Sequence, residues 1–259
     1  MTEARMNFMQ SILDTFENED IKEFAIVLLE GLPEYIWQVG ASSTGKYHPA
    51  YSLGEMGLMR HQIAVVKFIN FFLELEQYKN EFTSRERDLM RVAGLIHDGR
   101  KSGSQEDYEK SKYTKFNHPI LMADVVRSYD GEYLNHEELE MIAEAISKHM
   151  GAWNTDKKSS VVLPKPDDNF SRLVHLADYL ASRKSLTMEF GNYSPQPAAL
   201  EFDENYKLTF GKFSGQRLID VYKHAPDYVE WMEGNIHRQD LLNQIAAMKK
   251  YIKDAEEEL

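Results

Sequence analysis

The sequence contains no cysteine among its 259 residues. A disulfide framework, a cysteine nucleophile and zinc sites built on thiolates are therefore all excluded. Long hydrophobic runs are also missing, since stretches such as residues 24–29 and 121–123 fall far short of the roughly 18 residues that a membrane-spanning helix needs. Histidine and the acidic residues remain as the candidate metal ligands.

A secretory signal is a further feature that the sequence does not show. Residues 1–20 have neither the basic region nor the apolar stretch of about 7 to 15 residues that such a signal carries. We therefore expect a cytoplasmic protein with no membrane partner. The sequence says nothing about its oligomeric state.

Basic residues are outnumbered by acidic ones, with 30 Lys and Arg against 42 Asp and Glu, giving a net charge of −12. The average surface field therefore repels phosphate polymers, so any contact with nucleic acid must use a local basic patch. The chain is 42% hydrophobic and 28% charged, as in an ordinary globular protein. At this length roughly 73% of the unfolded surface should be buried, which predicts a substantial core.

Apolar residues recur with helical spacing through most of the chain, which predicts a mainly α fold. Such helices are expected at residues 6–16, 21–28, 56–78, 83–99, 117–126, 135–149 and 171–188. Thr83 with Glu86 and Asn135 with Glu138 predict capping boxes at two helix starts, and Asn117 is expected to cap a third.

Residues 37–53 are rich in Gly, Ser, Tyr and Pro and have no periodicity, which predicts a long ordered loop. Within it, residues 42–48 bring hydroxyls, a lysine and a histidine close to the helix that follows. Two interpretations stay open: this loop lines a substrate pocket, or it is a turn without a functional role.

The pattern changes near residues 191–201, where we place a domain boundary. Apolar residues on either side of residues 203–205 predict a short hairpin, formed by Leu200, Phe202, Leu208 and Phe210. Two short helices separated by Pro226 and a long charged helix at about residues 236–258 should follow. We therefore expect a helical domain over residues 1–190 and a small α+β module, a hairpin plus helices, over residues 201–259.

Six residues at or near predicted helix ends, or on a core-facing helix, have metal-ligating side chains: His61, His97, Asp98, His118, His149 and Asp178. Each alone is more often a core residue than a ligand. Together, imidazoles and carboxylates from several helices can converge on divalent cations. The adjacent His97 and Asp98 can supply one imidazole and one carboxylate that two metals share.

Three motifs carry a resemblance to a known family. They are GLMRH at residues 57–61, HDGRK at 97–101 and HLAD at 175–178. They resemble the first histidine helix, the HDxxK motif and the final aspartate motif of the HD-domain superfamily of metal-dependent phosphohydrolases, and the resemblance covers residues 32–190. It implies an all-α helical bundle in residues 1–190.

The resemblance also implies the ligand sets and the catalytic residues. One divalent metal would be held by four residues, namely His61, His97, Asp98 and Asp178. His118 and His149 point to the binuclear branch, with Asp98 bridging to a second ion, and Mn²⁺ or Fe²⁺ is expected before Ni²⁺ or Mg²⁺. Asp98 and Lys101 are the expected catalytic residues, with Lys101 contacting a phosphate oxygen; the alternative for Lys101 is an interaction with its helix C-terminus.

The expected activity is hydrolysis of a phosphoester of a nucleotide or a short single-stranded nucleic acid by metal-bound hydroxide. Residues 147–153 and 178–188 resemble YhaM-type 3′ to 5′ exoribonucleases, which implies an exonuclease. Two alternatives remain: a nucleotidase or nucleoside triphosphate hydrolase, favoured by the net charge, and a non-catalytic adaptor that holds metal and binds nucleic acid.

Residues 208–232 resemble the C-terminal module of exodeoxyribonuclease X type proteins, through FGK at 210–212, a second glycine, and a later tyrosine and tryptophan. This resemblance implies a nucleic-acid-binding module. The basic residues that could contact phosphates are Lys207, Lys212 and Arg217. The aromatic residues that could stack on bases are Phe213, Tyr228 and Trp231, although aromatic side chains at helical spacing usually belong to a core.

Overall fold

The structure is a computed structural model, which describes residues 1–42, 48–129, 131–186, 188, 190, 202–236 and 239–257. It forms two compact units, Met1–Pro195 and Gln196–Leu259. Most of the 42–48 loop and the predicted boundary at 191–201 lie outside the described residues. Elsewhere the fold is mainly helical, in agreement with the periodicity of the sequence.

Eight α-helices build the described part of the first unit. They are α1 (Glu3–Leu13), α2 (Glu19–Glu30), α3 (Gly57–Leu73), α4 (Ser84–Ile96), α5 (Gln105–Lys110), α6 (His118–Arg127), α7 (His136–Lys148) and α8 (Asn169–Ala181). Short 3-10 helices at Glu34–Trp37 and Ala50–Ser52 interrupt the chain between α2 and α3.

Helix α4 is the central element of this unit. It packs against α2, α3, α7 and α8, and every residue from Asp88 to Ile96 is buried. Gly94 allows the close approach of α3, because a Cβ at this position would lie 2.5 Å from Cδ1 of Ile69. The chain leaves the C-terminus of α4 at His97, so the packing of α4 fixes where that histidine stands.

Helix capping explains several of the boundaries. The predicted capping boxes of α4 and of α7, the latter formed by Asn135 and Glu138, are both confirmed. Helix α5, which the sequence analysis did not predict, starts with a further box formed by Ser104 and Asp107. Asn117 does precede α6, but its side chain makes no capping hydrogen bond. Its backbone (φ −86°, ψ 14°) departs from the extended conformation usual at this position.

Two helices end earlier than the periodicity predicts. Helix α3 stops at Leu73 because the chain then turns through bonds spanning three residues, such as Tyr78 N–H to Leu75 O. Helix α8 stops at Ala181 rather than near residue 188, and Arg183 N–H bonds to Leu180 O in the same tight geometry. The apolar periodicity of the sequence continues past the ends of α3 and α8, because residues in the turns that follow these helices also face the core.

The second unit contains α9 (Leu218–His224), α10 (Pro226–Asn235) and α11 (Gln239–Glu257). The predicted break between its first two helices is confirmed. Its described core is made of small and medium apolar residues, namely Leu208, Leu218, Val221, Val229, Met232, Leu241, Ile245 and Met248.

The predicted hairpin around residues 203–205 is wrong. The described residues of this segment form no strand, and Lys207 instead makes an isolated antiparallel bridge with Arg217. The loop between them closes through Leu208 N–H to Gln216 O at 2.9 Å. A turn does form at residues 203–206, where Tyr206 N–H bonds to Asp203 O at 2.9 Å, but no strands flank it among the described residues. The pairing lies instead across the positive-φ Gly211 and Gly215. The described part of the module is therefore helical and not α+β.

Among the residues that the structure describes, none of the helices is both long enough and apolar enough to cross a membrane.

Candidate metal centre

The six candidate ligands of the sequence analysis come together at one end of the first unit. His61 lies on α3 and Asp178 on α8, while His97 and Asp98 follow the last residue of α4. His118 is the first residue of α6, and His149 follows the last residue of α7. Two helix C-termini therefore meet here, and the negative ends of their dipoles favour bound cations.

Backbone carbonyls fix the orientation of three of the imidazoles. In each case Nδ1 bonds to the carbonyl oxygen three residues earlier, at 2.8 Å for His97, 2.8 Å for His149 and 2.7 Å for His118. A carbonyl can only accept, so Nδ1 carries a proton in each ring, and in the neutral form of the ring Nε2 then presents a lone pair. All three Nε2 atoms are thereby prepared as ligand atoms.

The first group of ligand atoms surrounds one point. His61 Nε2 lies 3.0 Å from Asp178 Oδ1 and 4.0 Å from Asp98 Oδ2. His97 Nε2 lies 3.6 Å and 3.7 Å from the same two oxygens. Ligands bound at about 2.0–2.2 Å around a common cation stand roughly 3 to 4 Å apart, so these four side chains have the spacing of one metal site.

A second group uses the other oxygen of the same aspartate. Asp98 Oδ1 lies 3.0 Å from His118 Nε2 and 3.8 Å from His149 Nε2, and the two nitrogens are 3.3 Å apart. Asp98 thus turns Oδ2 to the first group and Oδ1 to the second. This is the geometry of a carboxylate that bridges two cations.

The donor set fits metal ions better than a network of hydrogen bonds. Asp98 Oδ1 and His97 Nε2 are buried and have no hydrogen-bond partner among the described residues. In the neutral form of His118, which carries its proton on Nδ1, its Nε2 and Asp98 Oδ1 are two electron-pair donors facing each other without a proton between them. Such an arrangement costs free energy unless a cation stands beside both.

The electrostatics keep most of these groups in their metal-binding forms. Burial lowers the pKa of His149 to about 3 and also lowers the pKa of His61, so both imidazoles are neutral. Burial would raise the pKa of Asp98, but Lys101 and His97 outweigh it and hold that pKa well below its usual range. The pKa of His97 moves the other way, because Asp98 and Asp178 outweigh its burial.

Asp178 and Lys101 are the least buried side chains of the centre and define its open side. Side-chain exposure is 18% for Asp178 and 15% for Lys101, against 3% or less for the other five. Lys101 forms an ion pair with Asp98 Oδ2, so its ammonium lies beside a candidate ligand.

Sequence reasoning left two other histidines out of the site. The ring of His48, from the 42–48 loop, lies 5.4 Å from that of His61 and its Nε2 is 3.3 Å from Ser182 Oγ. Burial lowers the pKa of His48 to about 3. His175 was expected in the core or near the metal, and its Nδ1–H donates to His149 O at 2.6 Å. His175 begins the HLAD motif and His48 ends the 42–48 loop, but no metal-ligand pattern marked either of them.

Comparison with known proteins agrees with this geometry. Residues 58–183 match the family model described as HD domain, and all six candidate ligands lie inside this range. No curated protein and no solved structure gives a significant match to the chain, so the two finer resemblances, to YhaM-type and to exodeoxyribonuclease X type proteins, find no support here. This match over residues 58–183 supports the HD superfamily for this part of the chain.

Proposed function

We propose that the protein is a two-metal phosphohydrolase acting on a phosphoester of a nucleotide or a short single-stranded nucleic acid. HD domains are metal-dependent phosphohydrolases, which supports a hydrolase. The single observation that carries the two-metal proposal is Asp98, whose Oδ2 is the oxygen near His61 and His97 and whose Oδ1 is the oxygen near His118 and His149.

The residues divide into two ligand sets with Asp98 shared. The first set is His61, His97, Asp98 Oδ2 and Asp178, and the second is His118, His149 and Asp98 Oδ1. Two bound divalent cations would supply a hydroxide nucleophile at neutral pH and neutralise charge on the phosphoryl oxygens. Imidazole and carboxylate donors suit Mn²⁺ or Fe²⁺, with Ni²⁺ and Mg²⁺ as further candidates.

Lys101 is the residue that we propose contacts the substrate phosphate. Its ammonium already stands against an oxygen of Asp98 at the open side, where it can meet a non-bridging oxygen of the substrate and stabilise the charge that develops there. No covalent intermediate on the protein is part of this proposal, in agreement with the absence of cysteine.

The second unit favours a nucleic-acid substrate, on which the proposed activity is that of a 3′ to 5′ exonuclease. Lys212 Nζ lies 4.9 Å and 5.0 Å from the ring centroids of Phe213 and Tyr228. Trp231 stacks on Tyr228 at 5.6 Å and remains 50% exposed. Exposed aromatic rings beside a cation are typical of surfaces that bind single strands.

The net charge of −12 favours a second candidate, a nucleotidase or nucleoside triphosphate hydrolase acting on small nucleotides. A non-catalytic adaptor is the third. The full ligand set and Lys101 argue against an adaptor, since a scaffold that only holds metal has no need of a cation at the open side.

One experiment separates these candidates. Metal-free protein is reloaded with Mn²⁺, Fe²⁺, Ni²⁺ or Mg²⁺ and offered mononucleotides, cyclic nucleotides, short RNA and short DNA. Release of 5′-mononucleotides from the 3′ ends of oligonucleotides supports the exonuclease, whereas phosphate released only from mononucleotides supports the nucleotidase. Binding of oligonucleotides without any hydrolysis contradicts an enzyme.

A further inference from the structure

An aromatic stack stands at the surface of the first unit, apart from the six candidate ligands. The rings of Trp153 and Tyr179 are stacked, with centroids 5.7 Å apart and planes 18° from parallel. The guanidinium of Arg183 lies 4.2 Å from the centroid of Tyr179, and its Nε donates to Tyr179 O at 3.2 Å. Trp153 nevertheless remains 51% exposed, so one large aromatic surface faces solvent.

The turn that carries Trp153 is fixed to the metal centre. Its backbone begins at His149, whose carbonyl accepts the hydrogen bond from His175. Gly151 has φ +55°, and a Cβ on it would lie 2.2 Å from the His175 ring. The left-handed glycine and the histidine packed against it therefore hold Trp153 at a set place relative to His149.

The other half of the stack is joined to the opposite ligand. Tyr179 follows Asp178 directly on α8, and Arg183 lies one turn further. Asp178 is also the more exposed of the two residues at the open side of the centre. The stack is therefore connected through the backbone to one ligand of each metal set, His149 and Asp178, and the latter lies at the open side of the centre.

We propose that Trp153, Tyr179 and Arg183 form a base-binding platform, on which the nucleobase of the substrate stacks while its phosphate lies at the metal centre. This inference rests on the proposed function and names its substrate class, an ester that carries a base. A purine or pyrimidine would stack on the exposed face of Trp153, and the cation of Arg183 would strengthen the electrostatics of the stack. Because every base has an aromatic face, such a platform tolerates any base.

Binding of adenosine tests the platform without any phosphoester chemistry. Metal-free full-length protein is titrated with adenosine and with ribose, following tryptophan fluorescence and heat. We expect adenosine to bind and to change the fluorescence, and ribose to do neither. Trp153→Ala should weaken adenosine binding by roughly 5- to 100-fold, whereas Trp153→Phe should retain most of the affinity and lose most of the fluorescence change.

Phe71→Ala is the matched control, since Phe71 is an aromatic residue with 61% exposure, ten residues beyond His61 on α3. Its adenosine affinity should equal that of the wild type. A second pair compares Arg183→Gln, expected to weaken adenosine binding, with its exposed neighbour Lys184→Gln, expected to have no effect. Circular dichroism and metal uptake show whether each variant is folded.

The kinetic form of the test uses the Mn²⁺-loaded enzyme. Trp153→Ala should raise KM for AMP, or for a short oligoadenylate if only oligonucleotides are cleaved, and leave KM for ribose 5-phosphate or for the matching abasic oligomer unchanged. Adenosine that binds no better than ribose, or equally well to Trp153→Ala, overturns the platform. If adenosine binding depends on Trp153 but no phosphoester is cleaved, the proposed function fails and the platform stands. If esters with and without a base are cleaved equally, the platform fails alone.

Discussion

His118 Nε2 and Asp98 Oδ1 stand 3.0 Å apart, and the hydrogen bond of His118 Nδ1 to a backbone carbonyl leaves Nε2 without a proton in the neutral ring. In that form two electron-pair donors face each other in the interior of the protein. A cation bound to both atoms would stabilise this contact. Such a cation would be the second metal of the centre, beside the one expected near His61, His97 and Asp178.

The ligand sets predict how metal is lost in variants. Asp98→Ala should abolish both metals, because this carboxylate is shared, whereas His118→Ala should remove only the second ion. Metal content after reloading, measured by mass spectrometry, checks both expectations. His136→Ala is the control, as this histidine is exposed on α7 and should retain full metal content. Equal loss in Asp98→Ala and His118→Ala would argue against separate sites.

Lys101 should matter for turnover and not for metal binding. Lys101→Ala removes a cation and no ligand, so we expect kcat to fall by about 10²- to 10³-fold with metal content unchanged. Lys101→Arg should recover little, because the larger planar guanidinium need not fit the same space. The exposed Lys110 supplies the control variant Lys110→Ala. Normal turnover in Lys101→Ala would contradict the phosphate contact and would favour the alternative, an interaction of Lys101 with its helix C-terminus.

The second unit should raise affinity for oligonucleotides without contributing to the metal centre. The two units have separate described cores, so we expect a chain ending at Phe190 to fold, retain both metals and cleave mononucleotides. Its binding to short single strands should weaken and lose salt dependence, by about 0.7 in slope for each phosphate contact removed. Unchanged binding of oligonucleotides by the truncated chain would refute this role.

Close packing at Gly94 predicts a loss of stability on adding one methyl group. Because the new Cβ would lie 2.5 Å from Ile69 Cδ1, Gly94→Ala should lower the free energy of unfolding by about 1–3 kcal/mol. Gly234→Ala is the matched control on α10, where a Cβ meets nothing within 4 Å. That substitution should stabilise its helix by about 0.5–1 kcal/mol. Urea denaturation measures both, and a neutral Gly94→Ala would contradict the packing argument.

Much of the fold followed from local signals that act over three or four residues. Capping at Thr83 and at Asn135 and the break at Pro226 were predictable because each depends on neighbours in the chain. The hairpin prediction failed because the turn at residues 203–206, which does form, was taken as the centre of the pairing, whereas the chain pairs across Gly211 and Gly215. Pairing between Lys207 and Arg217 depends on residues further apart than that window.

The candidate site was likewise predictable only in part from the sequence. The HDGRK motif and helix ends indicated six residues that the structure brings together, although their binding of metal stays a prediction. The sequence could not show which oxygen of Asp98 faces which histidine, since this depends on how the helices cross. The stacking of Trp153 on Tyr179 was equally hidden, because 26 residues separate the two rings and the turn at Gly151 brings them together.

Anomalous scattering from crystals of the Mn²⁺-loaded protein tests the two-metal centre most directly. We predict two peaks about 3.5 to 4 Å apart, one beside His61, His97 and Asp178, the other beside His118 and His149, with Asp98 bonded to both. A single peak within the ligand cluster at saturating Mn²⁺, or two peaks with Asp98 bonded to only one, would contradict it.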